Sequence, residues 1–246
     1  MLTCWPPIEA EAGCVSHVHA ASFERIAMAS PNLRKPIMIG IGGGTGAGKT
    51  TLARLLALLY ADLGAVILDQ DSYYRDQSHL SFEQRVLTNY DEPAALDNDL
   101  LLRHVEQLAV CEPIRKPCYC FVTYTRTAEV KEVRPAQFVI LEGLLALWDE
   151  RLRALMGLKI FVDADADVRL MRRLLRDVHE RGRTLESTIA QYRDSIRPMH
   201  RRYVEPTKTY ADLVVDTTES AVEEWLEPID RILVKMRGSW NEAAAA

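Results

Sequence analysis

Short runs of apolar residues recur along the chain and are separated by longer segments with a different pattern. The runs are Ile37–Ile41, Ala65–Leu68, Phe138–Leu141, Lys159–Val162 and Leu213–Val215. Short apolar runs without alternation are typical of strands that are buried on both faces, as in a parallel sheet. The pattern therefore predicts a buried parallel sheet built from these segments.

Helical periodicity fills the segments between these runs. In Lys49–Leu63, leucines recur at three- and four-residue spacing. Similar patterns predict helices over 97–110, 163–180 and 219–236, the last bent at Pro228. Strands that alternate with helices indicate an α/β fold, a parallel sheet with helices on both faces. Ligands of such folds bind at the carboxyl ends of the strands.

The first 33 residues have no clean period, so we predict a poorly ordered extension over 1–33 and a single domain over 34–240. Deleting residues 1–27, so that the chain starts at Met28, should leave the melting temperature and the activity nearly unchanged. The extension offers no patterned face to bury. A marked fall in melting temperature in a thermal denaturation experiment would contradict this expectation.

A glycine-rich loop follows the first predicted strand. Residues 43–50 fit the pattern G-x-x-x-x-G-K-[ST], a phosphate-binding loop between a buried strand and an amphipathic helix. Its glycines let backbone N–H groups point at phosphate oxygens, and the following helix adds its positive end. We expect Lys49 to bridge the β- and γ-phosphates and Thr50 to offer its hydroxyl to Mg²⁺. The predicted nucleotide-binding residues are Gly43, Gly44, Thr45, Gly46, Ala47, Gly48, Lys49, Thr50 and Thr51.

Carboxylates follow two of the predicted strands. Asp71 comes just after the second strand, and Glu142 ends the third. Phosphoryl transfer to a hydroxyl needs a carboxylate that accepts the proton, and Mg²⁺ prefers oxygen ligands. Asp71 is therefore a candidate general base and Glu142 a candidate metal ligand, with a turn cap and a solvated strand end as the simpler alternatives. Asp91 stands beside Tyr90 in a loop, a pairing that suits a ribose diol and a base.

Four arginines share one face of the helix predicted over 163–180. They are Arg169, Arg172, Arg173 and Arg176, and Arg181 and Arg183 follow around Gly182. One interpretation is a solvated basic face with ion pairs to Asp177 and Glu180. The other is a mobile lid, over about 166–190, whose guanidinium groups cover a triphosphate.

Net charge and the lengths of the apolar runs exclude some classes of function. The net charge is −5, from 35 acidic and 30 basic residues, which argues against a nucleic-acid partner. No apolar run approaches the length of a membrane-spanning helix, and the N-terminus lacks the pattern of a signal peptide. We therefore expect a cytoplasmic protein with a small-molecule partner.

Several short motifs, in order along the chain, resemble those of the uridine kinase (uridine–cytidine kinase) family, P-loop nucleoside kinases related to phosphoribulokinase. They are Gly43–Thr51, Asp71–Asp76, Asn89–Asp91, Pro117-x-Tyr119-x-Phe121, Arg172–Arg183, Gln191-Tyr192 and Pro206–Asp212. The resemblance covers roughly residues 36–218. It implies a P-loop NTPase fold with an arginine-rich lid helix and an enzyme of pyrimidine salvage. The implied reaction moves a phosphoryl group from ATP or GTP, with Mg²⁺, to the 5′-hydroxyl of uridine or cytidine.

The resemblance also assigns roles to matching residues. It makes Asp71 the general base, with Lys49, Arg176 and Arg181 as further catalytic residues that face the phosphates. Thr50, Asp71 and Glu142 match the Mg²⁺ shell. The nucleoside would be held by Asp91, Tyr119, Phe121, Arg173, Arg183 and Gln191. Family members are commonly tetrameric, so a homo-oligomer is expected.

The chain departs from the family pattern in the run after Pro117. Cys120 replaces the usual Asp, and Tyr124 stands where a base-reading His is expected. A phenol oxygen accepts from the cytosine amine, and it cannot donate to uracil O4 if its own proton is engaged elsewhere. We therefore include Tyr124 among the substrate-binding residues and expect cytidine to be preferred over uridine.

The sequence is compatible with two other functions. The first is another small-molecule kinase on the same scaffold, which would act on a sugar phosphate or on pantothenate. The aromatic residues Tyr119, Phe121 and Tyr124 argue against it, because they suit a flat base. A regulatory P-loop NTPase is disfavoured because the chain has neither an Asn-Lys-x-Asp motif nor a Leu-Ser-Gly-Gly-Gln motif.

Overall fold

A parallel five-stranded sheet forms the centre of the computed structural model, which describes residues 35–243. Its strands are β1 (Ile37–Gly43), β2 (Ala65–Asp69), β5 (Phe138–Glu142), β6 (Leu158–Asp163) and β7 (Leu213–Asp216), in the spatial order β2-β5-β1-β6-β7. Every residue of the central strand β1 is buried. The predicted parallel sheet is confirmed. The predicted extension over 1–33 lies outside the described residues.

Helices cover both faces of this sheet. They are α1 (Lys49–Leu59), α2 (Phe82–Val86), α3 (Asn98–Ala109), α4 (Glu150–Leu155), α5 (Ala166–His179), α6 (Leu185–Gln191), α7 (Arg197–Met199) and α8 (Val222–Ala243). One apolar cluster joins Leu101 and Leu108 of α3 to the sheet. A second cluster, on the opposite face, joins Leu52 and Leu56 of α1 and Ile229 of α8 to it. The predicted α/β architecture is therefore confirmed.

All four predicted helices begin or end at residues other than those predicted, and the one predicted over 219–236 spans Val222–Ala243. The helix predicted over 49–63 ends at Leu59, and a 3₁₀ turn closed by Gly64 (φ 82°) follows it. The helix predicted from Asp163 starts at Ala166, because Asp163 belongs to β6. Helix α3 begins after Asp97, whose side chain accepts a hydrogen bond from the Leu100 backbone N–H at 3.2 Å. In the other three helices, the residues that the prediction included in the helix belong instead to a 3₁₀ turn, a strand end or a helix cap.

An antiparallel hairpin outside the main sheet was not predicted. It consists of β3 (Ile114–Cys120) and β4 (Thr125–Val133). Six of the nine β4 residues are exposed, so the strand carries no apolar run. Its turn, residues 121–124, lies beside the carboxyl ends of the main strands and presents aromatic side chains there.

The chain after α6 stays helical with changing geometry. Two π-helical turns, Tyr192–Ile196 and His200–Val204, flank α7, and a 3₁₀ segment, Glu205–Tyr210, leads toward β7. None of the helices in residues 35–243 is long and apolar enough to cross a membrane.

Candidate active site

A cavity of about 600 Å³ lies at the carboxyl ends of β1, β2 and β5. It brings most of the predicted site residues together. Its lining includes Thr45, Gly46, Gly48, Lys49, Thr50, Thr51, Asp71, Asp91, Tyr119, Phe121, Tyr124, Glu142, Arg173, Arg176, Arg181, Arg183 and Gln191. The remaining predicted residues, Gly43, Gly44 and Ala47, belong to the same loop but do not line the cavity. The structure thus places residues up to 146 positions apart in the chain around one space.

The phosphate-binding loop forms one end of the cavity. Gly46 and Gly48 adopt positive φ angles of 75° and 97°, and Gly48 caps α1. A Cβ atom at Gly46 would lie 2.3 Å from the backbone oxygen of Arg169, so this position requires glycine. Lys49 Nζ donates to Gly44 O at 2.9 Å. Burial lowers the pKa of Lys49, and the negative charges of Glu142 and Asp71 oppose that effect.

The oxygen atoms beside this loop fit a hard divalent cation. Thr50 Oγ1 donates to Glu142 Oε1 at 2.9 Å, and Glu142 lies at the end of β5. Burial raises the pKa of Glu142, and the charge of Asp71 raises it further. No group of three or more His, Cys, Asp or Glu side chains within residues 35–243 forms a metal site by itself. A hydroxyl and two carboxylates suit Mg²⁺, which keeps water and phosphate among its ligands.

Asp71 lies in the 3₁₀ turn Gln70–Tyr73 that follows β2. Burial raises the pKa of its carboxyl group, whereas the positive charges of Lys49 and Arg181 lower it. The carboxylate therefore lies within electrostatic range of both the phosphate-binding loop and Arg181, which follows α5, and all three line the same cavity. This is where a proton acceptor must lie if the acceptor hydroxyl is to face the transferred phosphoryl group.

A lysine that the sequence interpretation missed holds the turn next to Asp71. Lys116, a buried residue of β3, donates to Asp69 and, at 3.1 Å, to Ser72 Oγ. Ser72 also donates to Asp69. The contact joins residues 47 positions apart, so no local pattern could have revealed it.

Aromatic rings form the other end of the cavity. Tyr74 lies 5.2 Å from Tyr119 and 5.3 Å from Tyr90 between ring centroids, and Tyr90 lies 5.5 Å from Tyr124. Burial raises the pKa of the Tyr119 hydroxyl, and the neighbouring Tyr90 raises it further. Phe121 completes the group, with the Arg181 guanidinium 5.0 Å from its ring. Tyr74 is a member of this group that sequence reasoning did not single out.

Tyr124 occupies the tip of the β3–β4 hairpin in a left-handed conformation, with φ of 54°. Its hydroxyl oxygen accepts a hydrogen bond from Arg183 Nη2 at 3.0 Å. Arg183 Nη1 donates to Gln191 Oε1 at 2.5 Å, and Arg173 Nη2 donates to the same oxygen at 3.0 Å. Three predicted substrate-binding residues and the hairpin tip therefore form one hydrogen-bonded group.

Helix α5 turns its charged side inward. Arg169 and Arg173 are 7% and 6% exposed, whereas Leu175 on the apolar side is 62% exposed. Arg173 Nη1 donates to Thr45 Oγ1 at 2.8 Å, which ties the helix to the phosphate-binding loop. The interpretation of this face as solvated is therefore wrong for Arg169 and Arg173, because the cavity and the loop cover it.

The parallel sheet, the phosphate-binding loop and the carboxylate after β2 together define a P-loop kinase, a phosphotransferase that uses a nucleotide as phosphate donor. Residues 38–222 match the family model described as "Phosphoribulokinase / Uridine kinase family", and the chain belongs to this family. The resemblance inferred from the sequence motifs is thereby confirmed.

Two curated proteins show the degree of similarity. The uridine kinase of Geobacillus sp. (strain WCH70) is 54% identical over 182 residues, which are 74% of this chain and 86% of that protein. The uridine kinase of Oceanobacillus iheyensis is 46% identical over 203 residues, which are 81% of this chain and 97% of that protein.

Solved structures of more distant kinases share the fold. D-glycerate 3-kinase from Cryptococcus neoformans is 16% identical, with a TM-score of 0.57 over 82% of this chain and 93% of its own. Phosphoribulokinase from Rhodobacter spheroides is 12% identical, with a TM-score of 0.56 over 74% of this chain and 70% of its own. At these identities the likeness establishes the P-loop kinase fold alone.

Proposed function

We propose that this protein transfers the γ-phosphoryl group of ATP or GTP to the 5′-hydroxyl of a pyrimidine ribonucleoside, uridine or cytidine. The observation that carries the proposal is one cavity whose lining includes the phosphate-binding loop, Asp71 and a group of aromatic rings. A flat base suits the rings, and a triphosphate suits the loop. The names of the curated relatives support the same substrate class.

Each part of the cavity has a role in this proposal. Asp71 accepts the proton of the 5′-hydroxyl and orients its oxygen. Lys49, Arg176 and Arg181 neutralise the charge that develops on the phosphates, and most of the rate enhancement comes from this and from positioning. Asp91, whose pKa is raised by burial and lowered by the charge of Arg173, holds the ribose hydroxyls.

Thr50, Asp71 and Glu142 would hold Mg²⁺, which neutralises phosphate charge when bound. We propose that the remaining nucleoside contacts come from Tyr119, Phe121, Tyr124, Arg173, Arg183 and Gln191. The family resemblance supports three further proposals, namely that the enzyme acts in pyrimidine salvage, that it is cytoplasmic and that it is a homo-oligomer.

The direct test measures transfer of radiolabelled phosphate from ATP and from GTP to uridine and cytidine side by side. Ribulose 5-phosphate and pantothenate serve as the alternative acceptors, and a reaction without acceptor measures simple hydrolysis. We expect labelled nucleoside 5′-monophosphate. Labelling of ribulose 5-phosphate or pantothenate alone, or hydrolysis that no acceptor accelerates, would overturn the proposal.

The choice of base yields a separate prediction. The Tyr124 hydroxyl accepts from Arg183, which leaves one lone pair for the cytosine amine. No carboxylate or carbonyl in residues 35–243 accepts its proton, so the structure does not supply the engaged proton on which the expected cytidine preference depends. The predicted preference for cytidine, about ten- to a hundredfold in kcat/KM from one unmatched buried polar group at about 1–3 kcal/mol, therefore requires that this proton is engaged once the nucleoside is bound.

Substituted forms of Tyr124 test this prediction. Tyr124→His should raise kcat/KM for uridine, and Tyr124→Phe should lower the preference because it removes the hydroxyl. Phe82→Leu, at an exposed ring 6.1 Å from Tyr124, is the matched control. Equal kcat/KM for the two nucleosides in the unmodified enzyme would show that Tyr124 only stacks on the base.

A further inference from the structure

Asp177 lies at the centre of the arginines that line the cavity. It belongs to the inner face of α5, and its side chain is 0% exposed. Its Oδ1 atom lies 2.9 Å from Arg176 Nη2 and 3.5 Å from Arg181 Nη1. Its Oδ2 atom lies 3.2 Å from Arg173 Nη2 and 3.6 Å from Arg183 Nη1. One buried carboxylate therefore faces four guanidinium groups, two on each oxygen.

The two oxygens of Asp177 contact arginines with different proposed ligands. Oδ1 contacts Arg176 and Arg181, here called the phosphate pair because they are proposed to face the triphosphate. Oδ2 contacts Arg173 and Arg183, here called the nucleoside pair because both donate to Gln191, a proposed nucleoside contact. Arg173 also donates to Thr45 of the phosphate-binding loop. The carboxylate thus lies between the two halves of the candidate active site.

The chain after α5 folds back to make this arrangement. Gly182 adopts a positive φ of 63°, and the Arg183 backbone N–H donates to the Asp177 backbone oxygen at 3.0 Å. This reversal returns Arg181 and Arg183 toward the helix that carries Arg173. The sequence Arg-Gly-Arg therefore supplies one arginine to each pair.

Charge makes the two pairs depend on each other. Four neighbouring guanidinium groups repel one another, and Asp177 is in contact with all four. Asp91 adds negative charge near Arg173, and Asp71 does so near Arg181. The Asp177 Oδ1 atom accepts a hydrogen bond from Arg176 Nε at 3.0 Å, whereas Oδ2 makes no hydrogen bond within residues 35–243. The nucleoside pair is therefore held to Oδ2 by charge alone. A ligand that draws one pair away changes the attraction that Asp177 exerts on the other pair.

We infer that Asp177 is a positioning residue that couples nucleoside binding to nucleotide binding. A triphosphate that engages the phosphate pair releases part of the Asp177 charge, which then holds the nucleoside pair more firmly in place. The reverse effect must have the same size, because coupling between two binding equilibria is reciprocal. The inference rests on the proposed function, since it assigns a nucleoside to one pair and a triphosphate to the other.

Calorimetric titration of the full chain tests the inference. The dissociation constants of uridine and cytidine are measured alone and with saturating, non-hydrolysable magnesium AMP-PNP, and their ratio is the coupling factor. We expect a coupling factor of roughly 5- to 150-fold in the unmodified protein and a value near one in Asp177→Asn. Asp177→Glu should restore part of it. Asp167→Asn, at an exposed acid in the first turn of the same helix, is the matched control and should keep the full factor.

Unchanged coupling in a folded Asp177→Asn protein, or no coupling in the unmodified protein, overturns the inference. If Asp177→Asn does not fold, as judged by circular dichroism, Arg176→Met decides. This variant removes one charge of the phosphate pair and, like a bound triphosphate, leaves more of the Asp177 charge for the nucleoside pair, so it should strengthen nucleoside binding in the absence of nucleotide. Unaltered or weaker nucleoside affinity contradicts the coupling. Absence of nucleoside binding to the unmodified protein would instead contradict the proposed function.

Discussion

Replacing Lys49 with alanine should lower kcat by about 10²–10³-fold, because the transferring phosphoryl group loses a fixed positive charge in a site shielded from water. The Lys49 ammonium lies in the loop at hydrogen-bond distance from Gly44 O, so it is already in place before a phosphate arrives. Single-turnover phosphoryl transfer to uridine and cytidine, followed by rapid quench, measures the effect at the chemical step.

The control for this substitution is Lys131→Ala, at an exposed lysine of β4 that does not line the cavity. Both variants should keep the melting temperature of the unmodified protein, because Lys49 contributes to the cavity rather than to the apolar core. Turnover of Lys49→Ala close to that of the unmodified enzyme would remove the phosphate-binding loop from the mechanism.

The phosphate-binding loop was predictable because its information is local. Residues 43–50 contain all of it, namely the glycines that permit the turn, the Lys49 ammonium and the Thr50 hydroxyl. They lie between a buried strand and a helix, both of which are visible in the sequence pattern. The main sheet was predictable for a related reason, since a strand buried on both faces must consist of apolar residues whatever its neighbours are.

The β3–β4 hairpin could not be predicted in the same way. Strand β3 includes Arg115, Lys116 and Pro117, and β4 is mostly exposed, so neither has the apolar run of a buried strand. The hairpin is attached to the domain by long-range contacts instead. Arg126 donates to the backbone oxygens of Tyr73 and Tyr74, and Lys116 contacts the turn after β2. Such contacts become visible only in three dimensions.

The sequence pattern also could not predict which face of α5 is turned toward the interior. Helical spacing separates an arginine face from a leucine face but does not say which face is buried. In most surface helices the apolar face is buried, whereas here the arginines line the cavity and Leu175 is exposed. The arginine face of α5 is buried because it surrounds the Asp177 carboxylate and lines a site for an anionic ligand beside the phosphate-binding loop. Neither feature is part of the periodic pattern of the helix, so the pattern alone could not predict which face is buried.

Replacing Asp71 with asparagine should lower kcat by about 10²–10⁴-fold, the usual contribution of general acid–base catalysis. The amide keeps the size of the side chain but cannot take the proton of the attacking hydroxyl. It also loses the negative charge that faces Lys49 and Arg181. Binding of a fluorescent ATP analogue should change far less than kcat, because the phosphate-binding loop is intact in this variant.

Asp76→Asn is the matched control, since Asp76 is an exposed acid in the same loop, hydrogen-bonded to Ser78 and absent from the cavity lining. It should retain the kcat of the unmodified enzyme. A loss in Asp71→Asn of under about tenfold, measured where chemistry limits the rate, would mean that Asp71 only caps the turn after β2. In that case the proton would have to leave by way of solvent, and the burial that raises the pKa of Asp71 would have no catalytic consequence.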